Sequence, residues 1–349
     1  MRLEAKKAPG LAQAILYPAG AVAATLVIAS FLVMLAGASP FNVFYLVFKG
    51  AAGSQFALIE TLTRATPLIF TGLAVAVAFR AKLWNIGAEA QLYIGAVVTV
   101  VLGTGAIDLP AVIMAPVIIA SVMLGGALLL LGPAFLKIRF GVDEVVTTLL
   151  LNFIVLLFVS MLLEGVLKDP MGLGWPQSKR VVAEAQLPRL ITGKRLHYGF
   201  VLALVAAFAT WFIMKKSILG YEMRAVGHNP KAAGFAGIPV RKVLMKTALL
   251  SGGLAALAGY SEVAGLKGNL TLDLSPGFGY TGIVVAMLAM LNPLGVVASA
   301  IFIAGIFVGA DAMSRATGVP SYIAQVMVAT ALLTMVTAIM LSRYRIRWR

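Results

Sequence analysis

Residues 111–136 read AVIMAPVIIASVMLGGALLLLGPAFL, an unbroken stretch without one charged side chain. About 20 apolar residues, rising about 1.5 Å each, are enough to cross the hydrocarbon core of a bilayer. A helix of a soluble protein would need a polar face, and this stretch has none. Comparable stretches recur at residues 14–36, 56–79, 83–103, 145–166, 198–214, 247–266, 279–291, 294–312 and 322–341. The expected fold is therefore all-α: a polytopic transmembrane bundle of about 8–10 helices.

Composition agrees. Of 349 residues, 61% are hydrophobic and 12% charged, against about 45–50% and about 25% in soluble domains. The mean hydropathy is +0.98. Such a chain cannot keep a surface wet without large apolar patches, so its solvent is the lipid bilayer. There is no cysteine, which excludes disulfides, thiol nucleophiles and thiolate metal sites. The two histidines, His197 and His228, are too far apart to mark a metal site. No phosphate-binding G-x-x-x-x-G-K-[ST] loop, H-E-x-x-H or G-x-S-x-G motif occurs. No metal, cofactor or catalytic residue is expected, and the energy source lies on another chain or in an ion gradient.

The net charge of +15 would point to nucleic acid in a soluble protein. Here the basic residues gather at the ends of the apolar stretches, where they set orientation, and no nucleic-acid partner is expected. With a cytoplasmic N-terminus, the inner segments hold Arg2, Lys6 and Lys7; Arg80 and Lys82; Lys137 and Arg139; the run from Lys215 to Lys246; and Arg343, Arg345, Arg347 and Arg349. Both termini are thus expected in the cytoplasm. Residues 1–349 read as a single transmembrane domain with an inner loop at 215–246 and an outer loop at 167–197. The first stretch exceeds the roughly 7–15-residue core of a signal peptide and reads as an uncleaved span. Residues 279–291 are short for a crossing and lie between Ser275-Pro276-Gly277 and Asn292-Pro293. A crossing extended by irregular backbone keeps the C-terminal arginines inside; a re-entrant segment would not. Trp84, Trp175 and Trp348 read as interfacial anchors.

Gly220–Ala258 reads GYEMRAVGHNPKAAGFAGIPVRKVLMKTALLSGGLAALA. Asn229 suits an N-cap and Pro230 a first helical residue. Gly237 suits the left-handed position after a helix, and Pro239 prevents continuation. The pattern predicts a helix of about two turns over Pro230–Ala236. Its expected surface is small (Ala232, Ala233, Gly234, Ala236) with Phe235 as one large knob. Such a helix suits docking into a partner's groove, and equally reads as an ordinary capped surface helix. Beyond it, Gly252/Ala256 and Ala255/Gly259 are small-residue pairs that permit close helix contact.

Polar groups inside apolar stretches need an account. Asn85 and Glu89 are four apart and are expected on one helical face, with Gln91 rotated away. Glu144, Thr148 and Asn152 form an i, i+4, i+8 stripe. These side chains either line a polar pathway or bind helices together. Glu144 also reads as an interface residue beside Lys137 and Arg139.

Several of these segments resemble permeases of ATP-binding cassette transporters in the branched-chain amino acid, simple sugar and nucleoside group. Arg224-Ala225-Val226-Gly227-His228-Asn229-Pro230-Lys231-Ala232-Ala233-Gly234-Phe235-Ala236-Gly237-Ile238 is similar to the group's coupling-helix signature, and Ser251–Gly259 follows as in that group. Trp84–Gln91 resembles its N-I-G-x-E-x-Q segment, and Asp143–Asn152 its N-E-V-x-x-T-L-x-L-N segment, with Asp143 in place of Asn. Lys168–Ser178 with Leu187-Pro188 resembles the outer loop of the nucleoside-type branch. Gly277–Ile283 and Asn292–Gly295 match further, with Tyr280-Thr281 where an aromatic–Asp pair is frequent.

The resemblance implies the permease subunit of an importer in a bacterial cytoplasmic (inner) membrane, carrying nucleosides or, alternatively, simple sugars. It implies three partners: a cytoplasmic ATP-binding cassette subunit that hydrolyses ATP, a second permease, related or identical, and an extracytoplasmic substrate-binding protein. The coupling residues would be Arg224, Gly227, Asn229, Pro230, Ala232, Ala233, Phe235 and Gly237. Asn85, Glu89, Gln91, Thr148 and Asn152 would be candidates for the translocation pathway. A carrier driven by an ion gradient through Glu89 or Glu144 is the competing reading. An intramembrane enzyme has little support, since no nucleophile–base pair is evident.

Overall fold

In lipid a backbone can satisfy its N–H and C=O groups only within a helix or a closed sheet, so the apolar stretches are expected to become helices. The computed structural model describes residues 2–5, 11–35, 37–106, 109–318 and 320–347. Along the chain run β1 (Arg2–Ala5), α1 (Leu11–Leu35), α2 (Pro40–Ala52), α3 (Gln55–Arg80), α4 (Ala88–Gly103), α5 (Ala111–Phe140), α6 (Glu144–Glu164) and α7 (Gly199–Lys216). They are followed by α8 (Ile218–His228), α9 (Pro230–Phe235), α10 (Val240–Glu262), α11 (Phe278–Leu288), α12 (Pro293–Thr317), α13 (Tyr322–Arg343) and β2 (Tyr344–Arg347). Six of these helices (α3, α5, α6, α7, α10 with its π-helical extension to Lys267, and α12) are long and apolar enough to cross a membrane. The pair α1 and α2, bent by 111°, makes a seventh candidate, and α4 and α11 are shorter apolar helices. The fold is the expected all-α polytopic bundle.

Two boundaries differ from expectation. α4 begins at Ala88, so the stretch from Ala81 to Gly87 is not helical. α2 was not anticipated, because its 13 residues are too few to register as a span.

The chain divides into two compact units, residues 1–61 with 302–349 and residues 62–301. In the first, Val33, Val43 and Met313 form a small core, and the Thr25 and Thr334 hydroxyls lie 2.8 Å apart. β1 and β2 pair antiparallel, Arg2 opposite Arg347 and Ala5 opposite Tyr344, so the two ends of the chain lie side by side. Lys6, Lys7, Trp348 and Arg349 lie outside the described residues.

The second unit is built around α10, which packs against α4 and α5. A Cβ added at Gly252 would stand 2.2 Å from the Gly126 carbonyl oxygen, and one at Gly259 2.0 Å from that of Leu92. The small-residue pairs therefore work as expected: they let three backbones meet. Burial separates core from rim. The apolar window of α3 is 89% buried and that of α6 only 22%, so α6 turns most of its surface outward.

The segment of residues 167–197 is folded rather than loose. Ser178 N–H donates to Leu270 O (2.9 Å), Val181 N–H to Gly268 O (2.8 Å) and Leu187 N–H to Ala264 O (2.8 Å). His197 closes it. The imidazole is buried, its Nδ1 accepts from Gly199 N–H at 3.1 Å, and burial lowers its pKa from 6.5 to about 4.

Two predictions follow from this packing. Gly259→Val forces a side chain into the Leu92 carbonyl and is expected to cost about 3 kcal/mol or more. Monodisperse protein in mild detergent should be lost, while Leu157→Ala on the outward face of α6 should solubilise normally. For His197, the unfolded loop takes up a proton near pH 6.5 and the folded loop only near pH 4. Its contribution is therefore complete above pH 6.5, declines as pH falls toward 4, and amounts to about 3 kcal/mol at most. Hydrogen exchange at residues 189–199, corrected for intrinsic rate, should rise over that interval and lose its pH dependence in His197→Leu.

Candidate functional site

The non-helical stretch between α3 and α4 carries backbone groups that no helix ladder satisfies. Lys82 sits in the left-handed region at φ 55. The stripe on α6 supplies the missing partners. Glu144 Oε1 accepts from Trp84 N–H at 3.1 Å, and Thr148 Oγ1 from Ile86 N–H at 3.1 Å. Asn152 Oδ1 accepts from Ala90 N–H at 2.9 Å, while its Nδ2 donates to Ile86 O and to the Tyr280 hydroxyl, each at 3.0 Å. The i, i+4, i+8 spacing thus runs alongside an extended segment and hydrogen-bonds it at successive points. Lys137 forms an ion pair with Glu144 and also donates to Lys82 O at 3.0 Å. Glu144 thus pairs with Lys137, one of the two basic residues that precede it.

Asn85 and Gln91 pair through both amides: each Nδ2 or Nε2 donates to the other's oxygen at 3.0 Å. Asn85 also donates to Ser251 Oγ at 3.0 Å, and that hydroxyl donates to Ala74 O at 2.8 Å. This corrects the expectation that Asn85 and Glu89 share a helical face with Gln91 turned away. Asn85 precedes the helix, so helical spacing does not govern it. Ser251 directly precedes the small-residue pairs of α10, and a lone hydroxyl beside them is the sequence signal for this bond.

Glu89, 3% exposed, faces the start of α11. Its Oε2 accepts from Gly279 N–H at 2.6 Å, and Ser275 and the Gly277 backbone also hydrogen-bond to the carboxylate. The first N–H groups of a helix lack internal partners and carry partial positive charge, so a carboxylate is their natural complement. α11 is 11 residues long, about 16 Å, too short to span alone. It starts beside Glu89 and ends at Leu288, where Ala289 and Met290 line a cavity with Arg80 and Lys215. Upstream, the Gly268 and Leu270 carbonyls accept from Val181 and Ser178 N–H in the segment of residues 167–197. The segment crosses the unit as irregular backbone followed by a half-length helix. Asn85, Glu89, Gln91, Thr148 and Asn152 are all buried and joined in this one seam.

The connection between α7 and α10 is equally built. Asn229 Oδ1 accepts from Lys231 N–H (3.0 Å) and Ala232 N–H (3.2 Å) at the start of α9. At its end Ile238 N–H donates to Ala233 O and Gly237 N–H to Gly234 O, each at 3.0 Å. This is the double-bonded C-cap in which Gly237, at φ 82, needs the freedom of glycine. Ala232, Gly234, Phe235 and Ala236 are exposed, Phe235 to 95%. Ala233 is not: at 4% exposure it packs inward and leaves the expected docking face, because a helix lying against α8 and α10 buries one of its sides. The preceding helix, α8, is fixed to the bundle. A Cβ on Gly227 would lie 2.0 Å from Arg80 O, and Arg224 donates to Met214 O.

The family model described as "Branched-chain amino acid transport system / permease component" matches residues 57–341. The chain is 36% identical to the guanosine ABC transporter permease protein NupP of Bacillus subtilis, covering 91% of this chain and 92% of that one. It is 34% identical to the glucose ABC transporter permease protein TsgB13 of Haloferax volcanii, covering 94% and 89%. It is 31% identical to the nucleoside ABC transporter permease protein NupB of Lactococcus lactis, covering 85% and 84%. No solved structure matches.

Replacing Glu89 tests the seam. A buried charge-assisted hydrogen bond contributes about 1.5–3 kcal/mol. Glu89→Leu is expected to lower thermal stability and yield markedly, and Glu89→Gln, which can still accept from Gly279 N–H, to lower them less. Equal, wild-type stability of both variants would refute the capping role.

Proposed function

This chain belongs to the branched-chain amino acid transport system permease component family, and on that premise we propose that it is the membrane subunit of an ATP-driven importer in a bacterial cytoplasmic membrane. ATP hydrolysis is assigned to a separate cytoplasmic subunit, and this chain supplies the path. A second permease, identical or related, completes the path. An extracytoplasmic binding protein delivers the cargo, with residues 167–197 as its largest landing surface.

The observation that carries this reading is α9. It is a six-residue helix capped at both ends, with a small exposed face, one protruding Phe235 and no slack behind it. α8 and α9 share the junction at Asn229, and α8 touches the end of α3 through Gly227. A push on Phe235 or Ala232 therefore reaches α3 and α7 through backbone contacts, which is how a rigid element transmits motion between subunits. Arg224, Gly227, Asn229, Pro230 and Gly237 hold the element in shape. Ala232 and Phe235 form its contact face, and Ala233 anchors it from below.

Nucleosides are the proposed cargo, supported by the relatives NupP and NupB. A simple sugar is the second reading, supported by TsgB13. The five polar seam residues are proposed to hold the discontinuous segments in place beside the path, since their hydrogen bonds are already used within the protein.

Ala232→Glu places an unpaired charge on the contact face and is expected to cut co-purification of the ATP-binding subunit about tenfold or more. Membrane insertion should be unchanged. Ala233→Glu should instead lower the yield of folded chain. Undiminished co-purification with Ala232→Glu would refute the docking assignment. For the cargo, ATP-dependent uptake of labelled guanosine and labelled glucose into vesicles holding the whole transporter separates the two readings. Uptake sustained by an ion gradient without ATP would refute both.

A further inference from the structure

The ends of α3, α7 and α8, the start of α12 and the turn joining α11 to α12 border an open pocket of about 790 Å³. Arg80, Lys215 and Arg224 line it, and no carboxylate does. Arg80 and Arg224 are close enough for their charges to repel. The Arg80 Nε is buried without a hydrogen-bond partner among the described residues. Arg224 spends one N–H on Met214 O, which leaves the rest of its guanidinium to bind something else. Lys215 lies 5.5 Å from the centre of the Trp211 ring. Asn292 and Ser299 add neutral donors, and Leu288 and Met290 an apolar wall.

We propose that this cavity binds the phosphate of an anionic phospholipid headgroup. Three unopposed cations around one space call for an anion, and guanidinium groups match phosphate oxygens in geometry as well as charge. A tryptophan and a lysine at the end of a membrane helix mark the level of the headgroups. Basic pockets between membrane helices at the cytoplasmic face are of the kind that anionic headgroups fill. Free phosphate shares the charge but has no use for the apolar wall or for most of the volume. A bound headgroup neutralises the repulsion between Arg80 and Arg224. It thereby ties α8, which leads into α9, to α3 and to the α11–α12 turn, so lipid composition sets how firmly the inner loop is held. The inference requires only that the chain spans a bilayer, and it is independent of the cargo and of the ATP-binding subunit.

The test is native mass spectrometry of the full chain in mild detergent, titrated with phosphatidylglycerol or phosphatidylcholine. Wild type is expected to retain phosphatidylglycerol at least about tenfold better, the preference that two basic side chains provide. Lys215→Gln should reduce that ratio, and Arg80→Gln with Lys215→Gln should abolish it. Lys216→Gln, outside the cavity lining, should leave it intact. Lys215 is exposed at the end of α7, so its single variant serves if replacing Arg80 lowers the yield. Equal retention of the two lipids, or a ratio indifferent to Lys215, overturns the proposal. Displacement of phosphatidylglycerol by millimolar inorganic phosphate overturns the lipid as the source and assigns the site to a soluble phosphate.

Discussion

The hydrogen bonds from α6 to the stretch between α3 and α4 are the constraint on which the second unit depends. Seven residues, Ala81–Gly87, leave the helical path at the end of α3, and where they are buried their backbone groups need partners within the protein. Glu144, Thr148 and Asn152 supply them, at Trp84, Ile86 and Ala90. With the backbone satisfied, α4 can start deep in the bundle, which brings Glu89 to the first turn of α11. The second discontinuous segment, from Lys267 to Phe278, is satisfied within the protein in turn: Leu270 N–H donates to Ser178 Oγ, Phe278 N–H to Ser275 Oγ, and Gly279 N–H, at the start of α11, to the Glu89 carboxylate. Two half-length helices meet here at their N-terminal ends, and the Glu89 side chain between them accepts a hydrogen bond from the first turn of α11.

Half-length helices meeting inside a bundle are the architecture in which a membrane protein can admit a polar molecule, because irregular backbone is tolerated only where protein or a cavity surrounds it. The seam and the α8–α9 connection also differ in kind. The seam is locked, with every one of its five polar residues engaged and buried. The α8–α9 connection is locked at its base, where glycine lets α8 touch the carbonyl at the end of α3, and open at its tip, where Phe235 stands clear of the chain. A rigid lever with a free end can transmit displacement, whereas a flexible loop would absorb it.

The sequence by itself determined the membrane class, the approximate positions of most of the long helices and the caps of α9. Each rests on local rules: runs of apolar side chains, an Asn-Pro start, a glycine that accepts positive φ. It also determined that α10 would pack tightly, since small residues at four-residue spacing admit little else. It placed Asn152 and Thr148 on one stripe, because α6 is helical throughout. It did not determine that Asn85 pairs with Gln91, that Glu89 caps α11, or that Ala233 faces inward. Asn85 lies outside the helix whose spacing was used to place it. The partners of Glu89 stand about 190 residues away along the chain, and backbone N–H groups have no letter in a sequence. Only the tertiary structure decided what the buried polar residues bind, because a hydrogen bond is chosen by distance in space, and in lipid every such bond must be found within the protein.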